Sequence, residues 1–564
     1  MVDHMIDFVE HSARIGQSVL ARLAETRRKQ YGQFLTPPAA ARFMARQLGP
    51  IQDGSRILDP AIGSGTLACA VIERLLAEQT VSEIWIEGYE VDGQLAAAAL
   101  EALQLAAVHA ASRGITIHVC IHAADFILTR VAVKQPSLFA GESNHCSAAE
   151  RGYDFVIANP PYFKLRADDP RVAAASGQLA GHTNIYTLFM ALALKLLAQN
   201  GCACFVVPRS FCSGAYFAHF RREFMQQAAP RSVHLFDSRE DTFKQDAVLQ
   251  ENIILTFQRR PAPLQQIDLN GSLRISASRR LVDLEASPIS RAVSGHLFAG
   301  ERHQQLFFRL PTSDLDETII ESLDHWPGSL REFGWKVSTG PVVAFRAAAW
   351  LTDSTAVAEQ VAVPLLWMQN VKRQQVEWPL ANGAKPQALR LNQGSQSLVV
   401  PLGNYVLLRR FSAKEEARRL VAAPLLTTGW PTQRLGLENH LNYIYASPAA
   451  LTQEEAVGLA AILNCSVLDR YFRIVNGNTQ VNAEELRALP LPPLAVIRRF
   501  GTLIINQSQA GVASDIDTIV TTTLQAEGLL PPEFPIIRET RYTMGKIQQA
   551  QEILGDRFLG PRSD

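Results

Sequence analysis

The sequence predicts a doubly wound, mostly parallel α/β sheet of seven strands, followed by a second domain of mixed α+β character. Three observations carry this. Short apolar runs near Ile57, Trp85, Ile117, Val156, Phe205, Leu235 and Leu255 read as buried strands. Segments with helical apolar spacing separate the early runs, an alternation that makes a parallel sheet with helices on both faces. The alternation stops near Arg259-Arg260-Pro261. The expected boundaries are a first domain over residues 1–262, a second over 263–495 and a C-terminal helical extension over 496–564.

A chain of 564 residues is too long for one core. With 47% hydrophobic and 19% charged residues it is ordinary globular protein, and a formal net charge of zero requires any nucleic-acid surface to be a local patch. Seven cysteines without a Cys-x-x-Cys pair favour a reducing compartment and no structural metal. Asp3, His4 and Asp7 stand where a signal peptide would carry a basic start and an apolar core. The Ala-rich stretch after Gln94 is interrupted by Glu101 and reads as a soluble helix. A cytoplasmic protein without a membrane span is therefore expected.

Taken in order, residues 1–30 read as a helix with Ile15, Val19, Leu20 and Leu23 on one side and Arg27-Arg28-Lys29 at its end. In Tyr31-Gly32-Gln33-Phe34-Leu35-Thr36-Pro37-Pro38, Thr36 is placed to cap a helix that has proline in its first turn. Residues 56–67 run from a strand through Asp59-Pro60-Ala61-Ile62-Gly63-Ser64-Gly65 into a helix. Glycines there let the backbone approach a ligand, and the absence of a following Lys-Ser/Thr excludes a P-loop. The second strand ends in Glu90, an acidic tip suited to two ribose hydroxyls. The third leads to Asp125-Phe126.

The fourth strand ends abruptly in Asn159-Pro160-Pro161-Tyr162. Two prolines cannot continue a ladder, so the chain leaves the sheet at its carboxyl end, where ligands of open α/β sheets bind. The Asn159 amide oxygen and the Pro160 carbonyl are two neutral acceptors suited to one NH₂ group, and Tyr162 offers a flat face for a base. Residues 164–182 form a candidate closing segment, and Pro208-Arg209-Ser210-Phe211 marks the tip of the fifth strand.

The tetrad is similar to the Asn-Pro-Pro-Tyr motif of S-adenosylmethionine-dependent amino-methyltransferases. The order of motifs along the chain resembles the gamma type of DNA adenine methyltransferase found in restriction–modification systems. That resemblance implies a Rossmann-like methyltransferase sheet with a terminal antiparallel pair. It implies a cofactor lid at Thr36 and a loop for S-adenosyl-L-methionine formed by Asp59, Pro60, Ala61, Gly63, Ser64 and Gly65. It places Glu90 on the ribose, Asp125 on the cofactor's adenine amine and Phe126 against its ring. Asn159, Pro160, Pro161 and Tyr162 become the catalytic residues, acting on the exocyclic amine of a flipped adenine, with no metal.

Val337 to Val343 with Phe345-Arg346, then residues 405–411 and 463–490, resemble the target-recognition half of the same enzymes. Phe243 is a candidate second aromatic wall. Lys372, Arg373, Arg409, Arg410, Lys414, Arg418, Arg419, Asn478 and Gln480 are candidates for phosphate or base contacts. The implied partners are double-stranded DNA and a cognate restriction endonuclease acting separately, with the protein itself a monomer. Two other readings use the same tetrad: methyl transfer to RNA or to a protein glutamine, and a non-catalytic DNA-specificity protein. No convincing Pro-Asp…Glu-x-Lys nuclease cluster accompanies it. The final residues hold two candidate helices around a break at Pro531, Pro532 and Pro535, expected to pack on the second domain.

Overall fold

In the computed structural model the apolar runs of the first half of the chain converge on one sheet. The elements are α1 (Phe8–Arg22), α2 (Pro38–Gln47), β1 (Ser55–Asp59), α3 (Thr66–Glu78), β2 (Glu83–Tyr89), α4 (Gly93–Ser112), β3 (Thr116–His122), α5 (Phe126–Ala132) and β4 (Tyr153–Ala158). They continue as α6 (Pro170–Ala175), α7 (Ile185–Leu196), β5 (Leu197–Pro208), α8 (Ala218–Gln227), β6 (Ala228–Phe236), β7 (Asn252–Arg259), β8 (Ser272–Ser278) and β9 (Ser290–Ser294). The structure describes residues 6–22, 34–132, 152–166, 168–175, 184–236, 251–265, 272–286, 288, 290–294, 298–299, 306–381, 385–412, 416–477 and 480–538.

Among these residues the strand order is β3-β2-β1-β4-β5-β7-β6-β8-β9. The pairs β2–β3, β1–β2, β1–β4 and β4–β5 are parallel, whereas β7 runs antiparallel to both β5 and β6. The doubly wound sheet and its terminal antiparallel pair are thus as expected, but the sheet has nine strands where seven were read. β8 adds in parallel to β6, and β9 folds back on β8. The miss has a physical cause: β8 is Ser-Leu-Arg-Ile-Ser-Ala-Ser, a half-buried alternation and not a continuous apolar run.

For the same reason the first unit extends past residue 262. The chain divides into residues 1–212 with 216–299, and residues 300–564 with 213–215. The core of the first unit joins alternate residues of the sheet, Ile57, Ile84, Ile86, Phe155 and Ile157, to Phe43 and Met44 of α2, Leu67 and Val71 of α3 and Ala99 and Leu103 of α4. By length and composition α4 alone among the described helices is long and apolar enough to cross a membrane, in contrast to the expectation of no such stretch. One side of it is packed into this core.

In the second unit β10 (Trp335–Thr339) begins a sheet-rich region with β11 (Leu351–Thr352), β12 (Ala362–Leu366), β13 (Ala388–Arg390), β14 (Val399–Pro401), β15 (Tyr405–Arg409), β16 (Ala422–Leu425), β17 (Arg434–Leu437) and β18 (Leu441–Ala446). Strands β10-β18-β15-β16 form one antiparallel sheet and β11-β13-β12-β17-β14 a mixed one. Helices α9 (Gln453–Asn464), α10 (Ser466–Val475), α11 (Leu494–Gln509) and α12 (Ile516–Ala526) follow. Gly458 of α9 and Gly501 of α11 lie where a Cβ would strike the opposite backbone, so these two helices cross closely. The C-terminal helices therefore belong to the second unit.

Candidate active site

The loop after β1 is shaped by two glycines with left-handed backbone, Gly63 at φ 56° and Gly65 at φ 88°. A Cβ on Gly65 would meet the Ala99 backbone at 3.4 Å, an ordinary contact, so the left-handed backbone and not crowding calls for glycine there. The loop is tied to the tip of β2 through Ile62 N–H to the Tyr89 carbonyl, 2.9 Å. Helix α1 supports it from the other direction. Ser12 Oγ donates to the Ser64 carbonyl at 2.7 Å and lies 3.1 Å from Thr66 Oγ1, while Gly16, one turn on, leaves space for the Ser64 side chain.

Three carboxylates gather at these strand tips. Glu90 Oε2 accepts from Gly63 N–H at 3.1 Å and Oε1 from Asp92 N–H at 2.9 Å, and burial raises its pKa. Asp59 is buried; its Oδ1 accepts from Ala61 N–H at 3.1 Å, and its Oδ2 has no hydrogen-bond partner among the described residues. Burial pushes its pKa up to about 8. Asp125 caps α5 by accepting from Leu128 N–H at 3.0 Å, with Arg171 Nη1 3.7 Å from its other oxygen.

A cavity of about 360 Å³ opens between these tips. Of the residues expected to bind cofactor or act in catalysis, Pro60, Ala61, Gly63, Glu90, Asp125, Phe126, Asn159 and Pro161 line it. Phe34, Leu35, Val91, Phe163, Arg171 and Phe189 also line it and were missed. Val91 had a signal: it is an apolar residue directly after the acidic tip and is half exposed. Phe34 and Leu35 precede Thr36 in the quoted lid stretch and Phe163 directly follows the tetrad, whereas Arg171 and Phe189 come from segments with no motif of their own. Asp59, Ser64 and Gly65 support the loop from beneath, and Thr36, Pro160 and Tyr162 are likewise outside the lining.

Thr36 lies outside the cavity lining and does not cap α2, whose N-cap is Pro37 with no side-chain bond. It is buried, and its hydroxyl accepts from Asn159 Nδ2 at 3.2 Å. The second Nδ2 hydrogen goes to the Phe34 carbonyl at 3.1 Å. With both amide hydrogens spent on residues 34 and 36, Asn159 is left with its oxygen as its working atom. That oxygen accepts from the Tyr162 hydroxyl at 2.5 Å, and the same hydroxyl lies 3.0 Å from the Val206 carbonyl. The Tyr162 ring is half-buried against the core, with Tyr186 edge-on at 6.3 Å. Phe126 is buried between Tyr89 and Phe189.

The second-unit candidates are scattered. Arg373 and Arg418 both pair with Asp517, at 3.0 and 2.7 Å. Arg419 is buried, and its backbone N–H donates to Asp469. Arg409 donates to the Val371 carbonyl and Arg410 to that of Asn439. Lys372 is exposed, and Gln480 is half-buried, bridging to Phe411. Phe243, Lys414 and Asn478 lie outside the described residues.

The donor set fits S-adenosyl-L-methionine. Phe34, Phe163 and Phe189 supply flat apolar walls, Glu90 and Asp125 supply acceptors, and the glycine loop brings backbone close. Comparison with known proteins agrees. Residues 96–243 match the family described as Eco57I restriction-modification methylase. The chain is 31% identical to the type II methyltransferase M.PstI of Providencia stuartii over 522 residues, 91% of this chain and 96% of that one. It is 31% identical to the type II methyltransferase M.BsuBI of Bacillus subtilis, covering 87% of this chain and 93% of that one. A tRNA1(Val) (adenine(37)-N6)-methyltransferase of Salmonella arizonae is 28% identical over 212 residues, 37% of this chain and 69% of that one.

Proposed function

Since this chain belongs to the type II DNA methyltransferases of restriction–modification systems, which use S-adenosyl-L-methionine, we propose that the group it methylates is the exocyclic amine of adenine in a specific duplex site. The observation that carries this reading is the fixed Asn159 carboxamide. Its hydrogens are held by Phe34 and Thr36, so the atom offered to a substrate is an acceptor, as an amine's hydrogens require. The likeness to an adenine-N6 enzyme is in keeping with it.

The target amine is buried in a stacked duplex, so the base must leave the stack. Its two hydrogens then go to Asn159 Oδ1 and the Pro160 carbonyl, which localises the nitrogen lone pair and stabilises the positive charge developing there. Tyr162 has one hydroxyl proton and two acceptors within reach. As the amine arrives, that proton turns from Asn159 to the Val206 carbonyl, and the half-exposed ring offers the base a stacking face. The cofactor supplies the electrophilic methyl group when bound; Glu90 and Asp125 are the residues proposed to hold its ribose and adenine ends. The basic residues of the second unit are proposed to read the site, and a separate cognate endonuclease is the proposed partner.

The test is methyl transfer from labelled cofactor to unmethylated duplex DNA, wild type beside Asn159→Ala, with the modified base mapped. Label on adenine in one recurrent sequence, lost in the variant, supports the reading. Label on cytosine, or none on DNA, overturns it.

A further inference from the structure

Phe345 is 78% exposed, more than any other large hydrophobic side chain among the described residues. Its loop is nevertheless rigidly footed. Gly340, just after β10, lies where a Cβ would come within 2.3 Å of the Glu438 carbonyl. Val342 N–H donates to the Leu437 carbonyl at 3.0 Å, and the Val342 carbonyl accepts from Asn439 N–H at 2.9 Å. Val342 and Ala347, on either side of the tip, are buried in one apolar cluster. Arg346 and Ala347 N–H groups both close back on the Val343 carbonyl at 3.0 Å. An apolar ring held in water by such a stem has lost conformational freedom without gaining burial, an arrangement suited to a partner that covers it.

The surroundings say what the partner is. Arg346 is exposed, its guanidinium 5.4 Å from the Phe345 ring centroid, and it forms no ion pair among the described residues. A second, half-buried couple stands on the same foothold. Asn439 gives its N–H to Val342, and its carbonyl accepts from Arg410, whose guanidinium lies 5.8 Å from the Phe411 ring. His440 is half exposed, 5.0 Å from that ring. The carboxylate here, Glu438, is buried and bonded to His440. Two aromatic rings with two guanidiniums fit a ligand of stacked flat bases edged by phosphates.

We propose that Phe345 is a wedge that stacks between base pairs of bound duplex DNA while Arg346 takes an adjacent phosphate. The proposal rests on the DNA reading above. Its test uses the full chain and the duplex found by the mapping experiment. Phe345→Ala weakens duplex affinity about tenfold or more, while Phe345→Trp retains it. Arg346→Ala weakens cognate and random duplexes alike and lowers the salt slope of binding by about one. A 2-aminopurine placed step by step through the site brightens at one step with wild type and not with Phe345→Ala. Cofactor affinity and Tm stay at wild-type values in all three variants. Wild-type DNA affinity and an unchanged fluorescence profile for Phe345→Ala overturn the wedge while leaving methyl transfer standing. Failure of wild type to label DNA overturns the reading it rests on.

Discussion

The Tyr162 hydroxyl donates to Asn159 Oδ1 across 2.5 Å, so the acceptor proposed for the substrate is filled by its own neighbour in the tetrad. The hydroxyl and the ring of Tyr162 are thereby separable. Tyr162→Phe removes the competing donor but keeps the face, and its single-turnover rate should stay within about tenfold of wild type. Tyr162→Ala removes the face as well, and should lose about ten- to a hundredfold, the worth of one stacked base. Rapid-quench methyl transfer distinguishes them; equal losses would put the function in the hydroxyl.

Thr36 offers a second separation. Thr36→Val keeps the shape but removes the acceptor for Asn159 Nδ2. The rate of transfer should fall about tenfold, the worth of one hydrogen bond of about 1 kcal/mol or slightly more, while cofactor affinity by calorimetry is nearly unchanged. Thr36→Ser should restore the rate. Lost cofactor affinity with an unchanged rate would return Thr36 to the cofactor.

Gly16 predicts a link between α1 and the glycine loop. A Cβ there would lie 2.5 Å from Ser64 Oγ and 2.6 Å from Leu35 Cδ1. Gly16→Val should therefore lower stability by about 1–3 kcal/mol and weaken cofactor binding with it. Denaturant titration and calorimetry on the same samples check both; a destabilised variant with intact cofactor affinity would confine α1 to support.

His234 gives the first unit an acid limit. It is buried on β6, with its ring nitrogens 2.9 Å from Ser276 Oγ and Ser278 Oγ of β8. Burial lowers its pKa to about 3. The unfolded chain, with an ordinary pKa near 6.5, therefore binds a proton that the folded state refuses. The contribution of His234 is complete above about pH 6.5 and should be lost progressively as pH falls toward 3. Unfolding free energy against pH should lose that part of its slope in His234→Gln.

The sequence made the strand tips legible because each combines a short apolar run with a residue that cannot continue it: Asp59-Pro60, Glu90, Asn159-Pro160-Pro161. The same local logic made Thr36 a helix cap, whereas α2 is capped at Pro37 without a side-chain bond and the Thr36 hydroxyl accepts from Asn159, 123 positions away. It also passed over Phe34 and Phe163, which adjoin the quoted motifs, and Phe189, which reaches the cavity only through tertiary packing. Arginines in the second domain were the least legible. Arg373 and Arg418 look like phosphate ligands in one dimension, yet both are tied to Asp517, on a C-terminal helix that carried no chemical motif. Strand β8 was missed because it alternates polar and apolar residues with a period of two, whereas the strands that were read came from short apolar runs.

The bonds that Asn159 donates to Phe34 and Thr36 have a thermodynamic consequence. Phe34 also walls the cavity, so one short stretch of backbone answers to two ligands. A cofactor that settled residues 34–36 would thereby orient the amide proposed to meet the base. Reciprocity then fixes the converse: by whatever factor the cofactor tightens the base, the base tightens the cofactor.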